Sequence, residues 1–152
     1  MVKVSDLAAK AFNITVKLRG LEFQYKPLSA SVSNEIEAAF ASQKPSAPLK
    51  PPPWAGSADY AKFVRDPTDG KYLADHAKYS NIVAAAKLAV SFGLESESGK
   101  KFDENDPARA DWLKTMAVEF CKVVSEDEMD GVLDAISKQV KALGTGASLS
   151  GN

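Results

Sequence analysis

The sequence contains almost none of the side chains on which disulfides, zinc cages and histidine-based catalysis depend. Among its 152 residues there is one cysteine, Cys121, and one histidine, His76. A lone cysteine forbids an intrachain disulfide, and these two residues cannot supply the four nitrogen and sulfur ligands of a structural zinc site. We therefore expect no metal, and a cytoplasmic location is the default expectation because nothing points to an oxidising compartment.

The sequence also lacks an excess of charge and a long apolar run. Its 19 basic and 20 acidic residues give a formal net charge of −1, which leaves no basic footprint for nucleic acid. No segment reaches the roughly 18 apolar residues of a membrane-spanning helix, and residues 1–12 lack the apolar run of a secretory signal. We expect a soluble protein that binds neither nucleic acid nor membranes.

Catalytic and cofactor motifs are missing as well. There is no phosphate-binding glycine loop and no dinucleotide fingerprint, so no cofactor is expected. His76 falls on an apolar helical stripe beside Tyr72 and Tyr79, a setting more typical of packing than of catalysis, and Cys121 is interpreted as a core or near-core residue. The acidic stretch 103–111 fails as a calcium loop because the required glycine and final glutamate are absent. The sequence predicts a non-enzyme.

Two short alternating runs, residues 14–18 and 21–25, are the clearest structural signal. They flank Arg19-Gly20, where glycine tolerates the positive φ of a tight hairpin turn. A two-residue turn places the apolar side chains of both runs on one face and an oppositely charged pair on the other, worth roughly 0.2–1 kcal/mol. The predicted cross-strand pairs are Ile14–Tyr25, Thr15–Gln24, Val16–Phe23, Lys17–Glu22 and Leu18–Leu21.

Helical periodicity dominates the rest of the chain. A helix capped by the serines of residues 29–33 and ended by Pro45 is expected to lie across the apolar face of the hairpin. A long helix over residues 71–92 should stop at Gly93, which favours a left-handed cap. The other predicted helices are a short one after Ser5, a short one from Ser57 that carries Tyr60, Phe63 and Val64, one opened by Asp106-Pro107, and a last one from the Ser125/Glu128 capping box to Gly144.

These elements predict an α+β fold, mainly α, with an N-terminal β-hairpin packed on a helix and a C-terminal helical bundle. A chain of this length fits one domain, which we place at residues 1–144. The domain consists of a hairpin–helix unit (1–43), a proline-rich arm (44–56) and a helical part (57–144). Residues 145–152 are predicted to form a disordered tail.

The proline-rich arm has five prolines within nine residues, 45–53. Pro45, Pro48 and Pro51 recur at intervals of three, the repeat of a polyproline II helix. Three interpretations stay open: a ligand of a Src-homology-3 domain, a semi-rigid spacer, and an arm that docks on this molecule or on a partner. Trp54 favours docking, because a large amphipathic ring at the end of a stiff rod is a good anchor. The candidate partner-binding residues are Pro48, Leu49, Pro51, Trp54, Tyr60 and Phe63.

Residues 16–40, VKLRGLEFQYKPLSASVSNEIEAAF, resemble the opening of tail assembly chaperones of long-tailed bacteriophages. Those sequences begin with a small β element with a glycine turn, continue with a strand ending in a proline-leucine pair and a glutamate-containing helix, and are then mostly helical. The matching residues are Gly20, the strand 21–25, Pro27-Leu28, and the helix with Glu35 and Glu37. Beyond residue 40 the similarity is one of size and helical character, and the proline-rich arm is not part of the family pattern.

The resemblance implies a non-enzymatic protein of the host cell cytoplasm that binds the long tape-measure protein during tail assembly and helps to recruit tail tube protein. The hairpin itself leaves strand edges that must be covered, charged or paired. Homo-oligomerisation and strand addition to a client therefore both stay open. The alternative function is that of a structural subunit retained in the virion, as a tail or connector component.

Overall fold

The computed structural model describes residues 1–9, 14–51 and 63–150, with side chains for residues 1–6, 14–51 and 63–143. Over these described residues the fold is mainly helical with two small antiparallel ladders, which confirms the predicted α+β class. Its elements are α1 (Val4–Ala9), β1 (Ile14–Leu18), β2 (Leu21–Tyr25), α2 (Ala30–Ala39), a 3-10 turn (Ala41–Gln43), β3 (Leu49–Lys50), β4 (Val64–Arg65), α3 (Gly70–Ser91), α4 (Arg109–Val123) and α5 (Glu126–Ser150).

The β1–β2 hairpin has the predicted register at all five pairs. Both residues of its turn, Arg19 and Gly20, have positive φ, 52° and 79°, as a two-residue turn matched to the strand twist requires. On the polar face, Lys17 Nζ lies 3.7 Å from the Glu22 carboxylate. The alternation and the turn residues are therefore sufficient to define this element.

The hairpin packs on α5 and α3, so the expectation that α2 covers it is wrong. Ile14 and Val16 of β1 are buried in a cluster with residues of α3 and α5, among them Ile136. Ile36 of α2 instead joins α3 and α4 in a second cluster. The apolar stripe of α5, with Met129, Val132 and Ile136, lies in the same cluster as Ile14 and Val16.

Helix α3 lies between the two clusters and contributes to both. Its buried residues alternate between them, because Val83, Ala86 and Ala89 face α2 and α4 while Ala85 and Leu88 face the hairpin and α5. Small alanine side chains let the neighbouring helices approach closely on both sides. The two clusters are therefore parts of one connected interior.

The long helices have defined caps, two of which, at Gly93 and at Ser125/Glu128, were predicted. Asp69 Oδ2 accepts a 3.0 Å hydrogen bond from the Tyr72 amide at the start of α3. At its end Gly93 has φ 71°, and the Leu94 amide donates to the Ala89 carbonyl at 2.9 Å, which confirms the left-handed cap. The predicted Ser125/Glu128 capping box of α5 is also confirmed, with reciprocal bonds of 3.1 and 3.2 Å.

Several predicted boundaries are wrong. Helix α5 continues through Gly144 to Ser150, so residues 145–150 are helical where a disordered tail was expected. A glycine costs a helix only about 1 kcal/mol and does not stop it when no left-handed turn or proline follows. Val64 lies in strand β4, outside any helix.

The starts of two helices also differ from expectation. Helix α1 begins at Val4, so Ser5 lies inside it. Helix α4 begins at Arg109, after a turn in which Asp106 Oδ1 accepts from the Ala108 amide at 2.9 Å. In the described ranges, no helix is both long enough and apolar enough to cross a membrane.

Candidate protein-binding groove

The proline-rich arm pairs with its own chain between the second and third of its regularly spaced prolines, Pro48 and Pro51. Strand β3 pairs with β4 so that Leu49 lies opposite Arg65, and the Pro48 carbonyl accepts from the Asp66 amide at 2.9 Å. Leu49 is 53% exposed and Pro51 is exposed, whereas Pro48 and Phe63 are half-buried. Trp54 and Tyr60, the remaining candidate residues, and the start of the predicted helix from Ser57 lie outside the described residues.

Charged side chains fasten this ladder. Lys50 Nζ lies 2.9 Å from Asp66 and 2.8 Å from Asp69, and Arg65 donates to the Ala47 carbonyl at 2.8 Å. Bonds from Thr68 and Lys50 lower the pKa of Asp66 to about 2. The described part of the arm therefore packs on its own domain.

A different surface has the chemistry of a protein-binding site. An apolar groove of about 260 Å³ lies between the turn end of the hairpin and the last turns of α4. We call it the hairpin groove. Its apolar lining comes from Leu18, Leu21, Phe23, Ala89, Leu94, Met116, Phe120, Val123 and Val124.

Two apolar side chains of the groove are open to solvent. Leu21 is 63% exposed and Val123 is 59% exposed, while Met116 and Val124 beneath them are buried. Strand β1 packs on α5 and has two buried residues, whereas none of the five residues of β2 is buried. Exposed apolar surface of this kind marks binding surfaces on soluble proteins.

Arg19 closes one end of the groove and holds the hairpin turn in place. Its guanidinium donates two bonds to the Glu128 carboxylate, at 2.7 and 2.6 Å, and one to the Val123 carbonyl at 2.6 Å. The bonds from Arg19 and the Ser125 amide lower the pKa of Glu128 to about 2. These three hydrogen bonds to the α4–α5 junction offset the energetic cost of the positive φ of Arg19.

The rim of the groove is acidic. Glu95, Glu97 and Glu119 line it, and the Glu97 amide donates to the Glu119 carboxylate at 2.9 Å, which fixes the loop after α3 against α4. The single basic residue of the lining, Arg19, is already paired with Glu128. Lys101 Nζ lies 3.6 Å from the Glu95 carboxylate, so Glu97 and Glu119 carry the negative charge of the rim. An apolar floor with a negative rim suits an amphipathic helix that carries basic residues beside its apolar stripe.

The two residues weighed for catalysis lie elsewhere. His76 packs between Tyr72 and Tyr79 in tilted ring contacts, at centroid distances of 5.6 and 6.0 Å, which confirms its predicted packing position. Its Nδ1 lies 3.4 Å from the Ser80 hydroxyl.

Cys121 is exposed, so its predicted core position is wrong. It lies one residue past Phe120, where the helix surface turns away from the interior. Although the residue is exposed, partial burial of its sulfur raises the pKa of the thiol, which disfavours the reactive thiolate. Among the described residues, no group of three or more histidine, cysteine or acidic side chains could hold a metal ion.

Sequence reasoning missed the groove because its walls come from separate parts of the chain. The hairpin, the loop after α3 and the end of α4 meet there only in the folded molecule. The sequence signal for the groove was Leu21, an apolar residue directly after the hairpin turn, on the apolar face of the hairpin. Set against known proteins, the chain matches no family model, no curated sequence and no solved structure at a significant level.

Proposed function

We propose that this protein is a non-enzymatic tail assembly chaperone of a long-tailed bacteriophage, acting in the host cell cytoplasm. In this proposal it binds hydrophobic helices of the tape-measure protein, keeps them soluble and helps to recruit tail tube protein. The identity of the client rests on the resemblance of residues 16–40 to that family. The hairpin groove is the proposed contact surface.

One observation carries the proposal. The hairpin that bears the family-like motif, with Gly20 and the strand 21–25, also forms one wall of the exposed apolar groove. Leu21 and Val123 both line the groove and are more than half exposed, so a helix of a client can cover them. Apolar anchors in such a groove supply affinity, and the acidic rim selects among helices by their flanking charge.

The test is a tagged pull-down from cells that assemble the particle, with mass spectrometry of the bound proteins and of purified particles. We expect the wild-type chain to retain a long helical tape-measure protein and to be absent from particles. The double variant Leu21→Ser, Val123→Ser should lose most of this binding. The matched control is Val118→Ser, because Val118 is 41% exposed on the same helix but does not line the groove.

Two outcomes would contradict the proposal. If the chain is found in purified particles at fixed stoichiometry, it is a structural subunit of the tail or connector. If the tape-measure protein binds the double variant as well as it binds the wild type, the groove is not the client site. The arm residues Leu49 and Trp54 then become the next surface to vary.

A further inference from the structure

The two outer edges of the β1–β2 hairpin differ in how they are covered. On the β1 side, Gln139 of α5 donates to the Thr15 carbonyl at 2.8 Å. On the β2 side, the Lys26 amide donates to the Ser91 carbonyl at the end of α3, at 3.0 Å. Between that bond and the hairpin turn, the edge of β2 has no backbone partner in the described part of the chain.

The register identifies the backbone groups on this open edge. Hydrogen-bonded and non-hydrogen-bonded pairs alternate along an antiparallel ladder. Leu18 and Leu21, which flank the two-residue turn, form a hydrogen-bonded pair. Glu22 and Gln24 therefore point their amides and carbonyls away from β1. The bond of the Lys26 amide to α3, two residues further along, follows the same alternation.

The outward backbone groups of β2 are accessible. Glu22 and Gln24 are both exposed, and no described residue bonds to the amide or the carbonyl of either one. Their side chains lie on the polar face, where Gln24 Nε2 donates to Thr15 Oγ1 at 3.1 Å. A strand edge with unpaired amides and carbonyls is a template for another extended chain.

The open edge borders the hairpin groove. Leu21 and Phe23, the apolar residues that alternate along the same strand, line the groove. In a strand added beside β2, every second side chain lies on the same face as these two residues and over the groove. The rim contributes the negative charge of Glu97 and Glu119. The surface therefore combines backbone pairing, an apolar floor and an acidic rim.

We propose that β2 takes an extended segment of a partner polypeptide as an added antiparallel strand, paired with Glu22 and Gln24. The segment has apolar residues at alternate positions, polar residues between them and a basic residue near the acidic rim. The antiparallel direction is chosen because it is the more stable pairing per residue. A second copy of β2 would bring a second acidic rim to the same edge, so charge repulsion disfavours that occupant.

For the identity of the partner, this inference rests on the proposed function, since the client is the polypeptide expected in the groove. It adds the way in which one wall of the groove recognises the client, namely by hydrogen bonds to its backbone. A client segment that has not yet folded offers extended backbone, so β2 can hold it before its helix forms. Selection among segments then comes from the alternate apolar residues and the flanking charge.

The first experiment measures amide hydrogen exchange of the full chain by NMR, with and without a synthetic peptide. In this short peptide valine alternates with threonine, and a lysine stands at each end. At saturation, exchange at Glu22 and Gln24 should slow by about tenfold or more, because both amides gain hydrogen bonds. The Phe23 amide points to Val16 inside the hairpin and is the internal control, so its exchange should change much less.

Two methylated peptides test whether the contact is made by the backbone. In an added antiparallel strand with its valines over the groove, the threonine amides point to β2 and the valine amides point away. A peptide N-methylated at its threonines should therefore lose binding, whereas one N-methylated at its valines should keep it. Raising the salt concentration should weaken the binding of the unmodified peptide, because the attraction between its lysines and the rim is screened.

A variant pair tests the same contact from the side of the protein. Gln24→Pro removes an outward amide and leaves the inward bonds of the hairpin, since proline is tolerated at a strand edge. It should weaken peptide binding about tenfold. Gln24→Thr keeps the amide and should bind like the wild type. If circular dichroism shows that Gln24→Pro unfolds, the exchange and methylation results on the wild-type chain decide alone.

The proposal is overturned if the peptide does not bind, if exchange at Glu22 and Gln24 does not slow selectively, or if both methylated peptides bind equally. It is also overturned if exchange at these amides slows in the chain alone as its concentration rises, since the occupant is then a second copy. The proposed function fails separately. A tape-measure protein captured without protection of Glu22 and Gln24 supports the chaperone and refutes the strand contact, whereas peptide pairing without capture does the reverse.

Discussion

Glu128 joins three parts of the chain through one carboxylate. It accepts two bonds from Arg19 of the hairpin turn and one from the Ser125 amide at the start of α5. Arg19 also donates to the Val123 carbonyl at the end of α4. The same residue therefore caps α5, neutralises the one cation at the groove and holds the hairpin turn over α4.

We predict that Glu128→Gln changes the acid sensitivity of the fold. The Glu128 pKa is lowered from 4.5 to about 2, first by the bond from Arg19. A carboxyl group whose pKa is lowered by folding stabilises the fold at pH values above its pKa in the unfolded chain. This stabilisation is lost as the pH falls through its pKa in the folded chain. The variant should melt at a lower temperature than the wild type at neutral pH, and the difference should narrow between pH 4.5 and 2.

The measurement is the melting temperature of both proteins as a function of pH. Other carboxylates with lowered pKa values, Asp66 among them, are present in both proteins and cancel in the difference. Glu22→Gln removes the same charge from an exposed pair with Lys17 and controls for net charge. A wild-type to variant difference that stays constant across the pH window would show that the ionised form of Glu128 is not what stabilises the junction.

At the scale of elements, local signals were enough for some features and insufficient for others. The hairpin register follows from alternation and from Arg19-Gly20, and the capping box follows from Ser125 and Glu128, all within a few residues of one another. The elements that pack against α2 could not be predicted, because the apolar side of a helix that bears Ile36 can pack on a sheet as well as on two other helices. Periodicity describes which side of an element is buried but not what covers it.

The β3–β4 ladder shows the same limit in a shorter element. Two residues per strand carry no periodicity, and Lys50 meets Asp66 and Asp69 only after the loop has closed. The proline repeat predicted an extended arm, which is the conformation that strand pairing also uses. The sequence therefore pointed to the backbone shape but not to its partner.

We predict that Lys50→Met opens this ladder without unfolding the domain. Lys50 is the one described side chain that bridges both aspartates, so its loss should leave Asp66 and Asp69 repelling each other. Exposed ion pairs contribute little to global stability. Amide hydrogen exchange should therefore become faster at Asp66, whose amide bonds to the Pro48 carbonyl, while the melting temperature changes little.

The control is Lys100→Met, which removes an equal charge from the loop between α3 and α4. It should leave exchange at Asp66 unchanged. A large fall in melting temperature for Lys50→Met would instead show that the ladder supports the start of α3, where Asp69 is the cap.

For the whole molecule, the two buried clusters are linked in a way that should make unfolding cooperative. Helix α3 supplies buried residues to both, and Phe120 packs against both. The Lys26 amide bonds to the Ser91 carbonyl at 3.0 Å, which joins the end of the hairpin to the end of α3. Loss of either cluster exposes one side of α3, so neither half should persist alone.

We predict that Ile14→Ala in the hairpin cluster destabilises the distant α2–α4 cluster equally. Ile14 is fully buried, and removing such a side chain costs about 2–5 kcal/mol. Trp112 is buried in the other cluster and reports on it by fluorescence. A Trp54→Phe background leaves Trp112 as the sole tryptophan of the two. Denaturant transitions followed by Trp112 fluorescence and by circular dichroism should coincide and shift together.

Leu73→Ala is the matched control, because Leu73 lies on α3 but is 52% exposed. Its effect should stay within about 0.5 kcal/mol. One result would refute cooperativity. The Trp112 transition would stay at the wild-type denaturant concentration, while circular dichroism would show a separate loss of helix at a lower denaturant concentration. The hairpin and α5 would then unfold on their own, and the groove between hairpin and α4 would open without loss of the α2–α4 cluster.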